Sequence, residues 1–350
     1  MTDDIRFSRE GAFGVVTLAR PKALNSLTAA MCAAMDSQLR GWAGDDGVRA
    51  VLIEGEGERA FCAGGDIRWL ATTAKEDPVE AATFFRTEYR LNDLIAGYDK
   101  PYIALIDGIC MGGGVGVSAM ADRRIATTNT LWAMPECGIG LVPDVGASYV
   151  LPKLEGGLPL YLGLTGARLD GGACVAAGVA THLVEAERTG ELREALIGTD
   201  LSGDVLAAID SVLGGFHVRV DSDLSAQRGD IDRLFSSVQS AEKLTEALRA
   251  DGSDFAARCL KLMAPGSPTS QELTVRLLNG APGSFSECIT REFRVTSRLL
   301  EGPDFHEGVR AQIIDKDRDP KWQPDSLGEV TEEMLDRYFQ EPEGGDLRLG

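Results

Sequence analysis

The chain is 350 residues long, 44% hydrophobic and 25% charged, the balance of an ordinary soluble protein with two domains, or one large domain and an appendage. With 54 acidic against 35 basic residues the net charge is -19, which excludes the basic face that nucleic acid or an anionic membrane surface requires. A small anionic ligand stays open, because it needs only a few local cations and backbone N–H groups.

Phe13 to Leu18 reads as a short strand, and Arg20-Pro-Lys-Ala-Leu-Asn25 as the turn out of it. Thr28 is the expected N-cap of a helix with Met31, Met35, Leu39 and Trp42 on one face. Val48 to Ile53 is the next strand. The glycine turn Phe61-Cys-Ala-Gly-Gly-Asp66 follows, and a helix begins at Ile67. A longer helix covers Val79 to Ile95, and Pro101 to Ile106 is a buried strand. Met111-Gly-Gly-Gly-Val-Gly116 then opens a small-residue helix expected at Val117 to Met120. Short strands are expected near Arg124 to Ala126, Leu131 to Ala133 and Val179 to Val184, with helices at Leu158 to Leu164 and Gly171 to Ala177. From about Leu201 the strand signals stop, and helical patterns run through Glu287 to Leu300. The expected organisation is a strand–strand–helix core over residues 1–200 and a helical C-terminal region over 201–350.

The N-terminus, Met-Thr-Asp-Asp-Ile-Arg, is acidic and lacks an apolar segment, so no secretory signal is expected there. No apolar run approaches membrane-spanning length. Seven scattered cysteines without a C-x-x-C suggest reduced thiols and a cytoplasmic protein.

The most informative stretch is Met134 to Tyr149, which sets Glu136 and Asp144 in a run otherwise apolar, glycine or proline. Gly138, Gly140, Pro143 and Gly146 break any long helix, so a loop with short extended pieces is expected. Carboxylates in apolar surroundings lose hydration, and their pKa values rise toward the range useful for acid–base chemistry. Each acid alone would serve equally well as a turn or cap residue. A third joins them: Phe84, Glu88, Leu91 and Ile95 recur at helical spacing, which puts Glu88 on an apolar face. The competing reading pairs Glu88 with Arg86 or Arg90.

The two glycine turns, Ala63-Gly-Gly-Asp66 and Gly112-Gly-Gly114, each precede a helix. Two N–H groups converging there on one oxygen would make an oxyanion hole; tight strand-on-helix packing explains either turn alone as well. Gly114-Val-Gly-Val-Ser-Ala119 matches G-x-G-x-x-A, but mid-chain and without the alternating units a dinucleotide fold needs. Neither G-x-S-x-G nor a P-loop occurs. The three histidines, His182, His217 and His306, lie in no dense motif, so neither a histidine triad nor a metal site is expected. Carboxylates are left to do the acid–base work.

Phe61-Cys-Ala-Gly-Gly-Asp-Ile-Arg68 together with Met111-Gly-Gly-Gly-Val-Gly116 resembles the crotonase (enoyl-CoA hydratase/isomerase) superfamily. Met134 to Tyr149, Phe84-Phe-Arg-x-Glu-Tyr-x-Leu-Asn92, and the late Phe305 to Asp317 with Pro320-Lys-Trp322 are similar to its branch that hydrolyses 3-hydroxyisobutyryl-CoA. The resemblance covers nearly the whole chain. It implies an α/β fold, a spiral of ββα units with a helical C-terminal region. The implied activity is hydrolysis of a short hydroxyacyl-CoA thioester in valine breakdown, with CoA entering as part of the substrate and no separate cofactor. Gly65 and Gly113 match the oxyanion-hole positions. Glu88, Gly113, Glu136 and Asp144 match substrate positions, with Glu136 and Asp144 catalytic. Ala23, Leu24 and Arg68 match positions near the CoA nucleotide. Gly116 stands where hydratases carry their first catalytic glutamate, which favours hydrolysis through Glu136 over hydration. An enoyl-CoA hydratase or isomerase, and a non-catalytic CoA-binding protein, are the competing readings. Superfamily members often form trimers or hexamers, which leaves a homo-oligomer open.

Overall fold

The computed structural model describes residues 3–280 and 283–349; Met1 and Thr2 of the N-terminal stretch lie outside them. Ten strands occur among the described residues: β1 Ile5–Glu10, β2 Phe13–Leu18, β3 Ala50–Gly55, β4 Ala60–Cys62, β5 Tyr102–Ile106, β6 Ile109–Met111, β7 Arg123–Thr127, β8 Leu131–Ala133, β9 Leu169–Asp170 and β10 His182–Val184. One sheet has the order β1-β2-β3-β5-β7-β10 and the other β4-β6-β8-β9. From β3 onward the chain lays one strand in the large sheet, the next in the small sheet, and then turns into a helix. That alternation repeats through β3–β4, β5–β6 and β7–β8, and it builds the spiral of ββα units that the resemblance implied.

The large sheet is parallel from β2 to β10, with β1 added antiparallel at its edge. Successive strand residues face opposite sides, so Phe13, Val15, Ala50, Leu52, Ile103, Leu105, Ile125 and Val184 line one face. Helices Thr189–Ile197 and Val205–Gly214 cover that face with Leu192, Leu196, Ile209 and Leu213, and together these residues form a buried core. After Val184 every regular element among the described residues is helical.

The chain divides into two compact units, each discontinuous in sequence. One holds residues 3–65, 91–132 and 168–225, and therefore both sheets and the core just described. The other holds 66–90, 133–167 and 226–349 and is helical. In the second unit, helix Leu158–Thr165 packs against helix Pro268–Asn279, and helix Phe285–Glu301 against Ala147–Val150 and Pro303–Val309. The long helix Phe285–Glu301 starts with a capping box in which Ser284 and Glu287 exchange side-chain and backbone bonds.

Two expectations need correction. The helix expected at Val117 to Met120 forms one turn earlier, at Gly113–Gly116. Gly112 caps it at φ +47°, and the Ser118 hydroxyl takes the Gly114 carbonyl at 2.7 Å, so residues 117–120 continue only as turns. The pieces between Met134 and Tyr149 are not extended. They are a 3₁₀ turn, Glu136–Ile139, and a short helix, Ala147–Val150. Strand β1 was not foreseen, because its polar, charged sequence IRFSRE belongs to a half-exposed edge and carries little apolar alternation.

Candidate active site

In the first unit, two glycine turns meet. The backbone amide of Leu27 donates to the Gly64 carbonyl at 2.8 Å and draws the Gly64–Gly65 turn against the start of helix Ala29–Ala43. A Cβ built on Gly64 would lie 3.6 Å from the Met111 carbonyl oxygen and 3.9 Å from the Gly113 nitrogen. Gly113 opens the one-turn helix, so its N–H has no acceptor within that helix. The Gly64–Gly65 turn therefore lies beside the start of the Gly113 helix. Gly114 has a packing role as well: a side chain there would sit 2.3 Å from the Cys62 carbonyl oxygen. The packing reading of the glycine turns holds at Gly114.

The same unit carries Ala23 and Leu24 on a 3₁₀ turn. The Leu24 carbonyl accepts the Ala63 amide at 3.0 Å, which ties this turn to the glycine turn. Asn25, fully buried, fixes its shape: Nδ2 donates to the Glu56 and Ala60 carbonyls at 3.0 and 2.8 Å, and Oδ1 accepts the Arg20 amide at 2.9 Å. Leu24 and Asn25 both take positive φ, a conformation Asn tolerates through such local bonds.

The carboxylates belong to the second unit, and all are buried: Glu88 is 2% exposed, Glu136 6% and Asp144 5%. Glu88 lies on the apolar face of helix Pro78–Ala96, as its spacing predicts. No arginine takes it: Arg86 donates to the Gly345 and Asp346 carbonyls and Arg90 to the Arg348 carbonyl. Its Oε1 is buried without a hydrogen-bond partner among the described residues. Burial, reinforced by the charge of Asp144, pushes its pKa well above the ordinary carboxylate value. Glu88 and Asp144 are thus brought together.

Asp144 is raised to about 6, chiefly by burial; the hydrogen bond from Tyr89 opposes the shift. The Tyr89 hydroxyl, itself fully buried, donates to Asp144 Oδ2 at 2.5 Å and lies 3.2 Å from Thr296 Oγ1. Glu136 starts its 3₁₀ turn directly after Pro135, and its charge adds to the burial that holds the neighbouring Cys137 thiol up at about 12. Arg68 is exposed on helix Ile67–Glu76, and its Nη2 donates to the Ile313 carbonyl at 2.9 Å, within the π-helix Arg310–Ile314.

Two residues of this cluster escaped the sequence reading. Tyr89 lies beside Glu88 in a motif already noted, yet nothing in one sequence says which buried tyrosine meets a carboxylate. Glu292 is fully buried on helix Phe285–Glu301 and accepts hydrogen bonds from the Gly146 and Ser148 amides and the Ser148 hydroxyl. Cys288, Glu292, Val295 and Leu299 recur at helical spacing, so the periodicity that singled out Glu88 also marks Glu292.

The chain thus combines a ββα spiral and paired glycine turns at helix starts with a set of buried carboxylates. The chain matches the enoyl-CoA hydratase/isomerase family over residues 13–339 and belongs to it; the fold is crotonase-like. It is 46% identical to the mitochondrial 3-hydroxyisobutyryl-CoA hydrolase of Danio rerio, over 99% of this chain and 92% of that protein. It is 43% identical to the corresponding protein of Homo sapiens, over 99% and 91%. Among solved structures, a carnitinyl-CoA dehydratase from Mycobacterium thermoresistibile superposes with a TM-score of 0.91 at 38% identity, covering 98% of each chain. An enoyl-CoA hydratase from Rhodobacter sphaeroides 2.4.1 gives 0.90 at 37%, covering 99% of this chain and 100% of that one. Among the described residues no helix is long and apolar enough to cross a membrane.

Proposed function

We propose that this protein hydrolyses a short hydroxyacyl-CoA thioester, 3-hydroxyisobutyryl-CoA above others, to the free hydroxy acid and CoA, as a step of valine breakdown. The observation that carries the reading is Gly116. It ends a buried turn of glycine and valine where the resemblance to hydratases calls for a glutamate, so Glu136 is left as the carboxylate for the carbonyl. The N–H groups of Gly65 and Gly113 hold the thioester oxygen, supported by the convergence of the two glycine turns. A Glu136 oxygen attacks the carbonyl carbon, the C–S bond breaks, and the CoA thiolate leaves and takes up a proton. Water then cleaves the resulting mixed anhydride and restores Glu136. Glu88, whose buried Oε1 is unpartnered among the described residues, and Asp144 face the hydroxyl of the acyl chain, a polar demand that an unsubstituted acyl group cannot satisfy. Ala23, Leu24 and Arg68 lie along the CoA nucleotide. The buried thiols suit a reducing compartment, and we place the protein in the cytoplasm; the animal relatives are named as mitochondrial, and cell fractionation decides between the two.

The two solved structures, a dehydratase and a hydratase, favour a second reading, hydration of an enoyl-CoA or its reverse, which requires another acid in place of Gly116. The test is Glu136→Gln, which keeps the shape and removes both nucleophile and base. Release of free thiol from 3-hydroxyisobutyryl-CoA should fall by roughly 1000-fold or more, with CoA binding within a few-fold of the parent. Hydroxylamine added during turnover of the parent should change the mass of the Glu136 peptide. An active enzyme whose peptide stays unmodified assigns Glu136 to activating water instead, and a variant with near-normal turnover removes it from the chemistry.

A further inference from the structure

Helix Phe285–Glu301 contributes a carboxylate to which no step of the hydrolysis gives a role. Glu292 is wholly buried, and each of its oxygens is occupied: Oε2 by the Gly146 amide at 2.7 Å, Oε1 by the Ser148 amide at 2.7 Å and the Ser148 hydroxyl at 2.6 Å. None of these donors is a cation, so the charge is stabilised only by dipoles. A plain capping role exists elsewhere in the protein. Glu272 accepts the Ala241 and Glu242 amides in the same way, at the start of helix Ala241–Asp251.

What sets Glu292 apart is the turn it holds. Val145, a buried β-branched residue, stands at φ +54°, a conformation such residues strongly avoid. Gly146 follows at φ +93°, where a Cβ would strike the Phe285 ring at 2.4 Å. The strained residue directly follows Asp144, and the next amide is the one bound by Glu292. The same helix also meets the tyrosine that bonds the Asp144 carboxylate. Thr296, one turn beyond Glu292, bonds the Glu292 carbonyl at 3.0 Å and lies 3.2 Å from the Tyr89 hydroxyl that holds Asp144.

We propose that Glu292 is a positioning residue for Asp144: by gripping the Gly146 and Ser148 amides it maintains the strained turn at Val145, and that turn aims the Asp144 carboxylate. This rests on the hydrolase reading for its kinetic consequence but not for its geometry. In Glu292→Gln one oxygen becomes an NH₂, so one backbone amide faces a donor and the grip is lost on that side. Turnover of 3-hydroxyisobutyryl-CoA should drop roughly 100-fold, the scale of an ångström of misplacement, while KM changes by no more than about threefold. Adding Val145→Gly should restore about tenfold of that loss, because glycine takes positive φ without strain. A role in packing alone predicts the opposite, since the second change deletes another buried side chain.

A crystal structure of Glu292→Gln should show Val145 out of the positive-φ region and the Tyr89–Asp144 bond broken. An unchanged turn, a folded variant with turnover within twofold of the parent, or no recovery on adding Val145→Gly overturns the proposal. Should Glu292→Gln not fold, Ser148→Ala removes one of the three bonds and should lose about tenfold in turnover; no loss overturns the proposal equally. If the parent enzyme releases no thiol from the substrate, the hydrolase reading fails, and the crystal structure still decides whether Glu292 holds the turn.

Discussion

At the scale of the residue, burial sets the chemistry. Glu88, Asp144 and Glu292 lie in the same unit, and burial raises the pKa of each, to about 6 for Asp144 and about 7 for Glu292. The groups that face Asp144 are Glu88 and Tyr89 from one helix and Glu292 from another. Tyr89 is the one that favours the ionised form. Tyr89→Phe removes that bond, so the Asp144 pKa must rise further, whichever form of Asp144 the reaction uses. The limb of the kcat/KM–pH profile near 6 should shift to higher pH, and a limb that stays in place would detach it from Asp144. Two of the carboxylates that matter were legible in the sequence because they sit among apolar neighbours in a loop, and Glu88 because helical period places it on an apolar face. Glu292 obeys the same rule but stands among arginines at 291 and 294, which disguise the face as solvated. Tyr89 and Asn25 were not legible at all, since their partners lie far away in sequence.

At the scale of the element, the glycine-rich turn divides two duties between neighbours. Gly113 supplies an amide at a helix start, and Gly114 lets that helix press on the Cys62 carbonyl. Gly114→Ala should therefore act on stability: the added methyl meets backbone at 2.3 Å, an overpacking expected to cost about 1–3 kcal/mol. Urea denaturation measures it, and an unchanged midpoint would mean that the turn yields freely. Helices Leu158–Thr165 and Gly171–Ala177 were readable because their ends are marked, by Pro159 and Gly166 in the first and by Asp170 and Gly178 in the second. The placement of the one-turn helix was not readable. Glycine has weak helical preference, and the bond from Ser118 to Gly114 decides where the helix stops.

At the scale of the whole molecule, the sheets lie in one unit and the buried acids in the other, and each unit is assembled from separated stretches of sequence. The net charge of -19 has no role at the candidate site, where burial and backbone dipoles govern; it bears on which partners the surface repels. The relatives leave a real choice between activities: proteins at 43–46% identity are named hydrolases, while structures at 37–38% are described as a dehydratase and a hydratase. The choice rests on Gly116 and Glu136, and one measurement addresses it directly. The purified protein is given 3-hydroxyisobutyryl-CoA with a thiol reagent, and in parallel crotonyl-CoA with its enoyl absorbance followed. Hydrolysis through Glu136 predicts catalytic release of free CoA from the first and no loss of enoyl absorbance from the second. Loss of the enoyl absorbance without thiol release would contradict it.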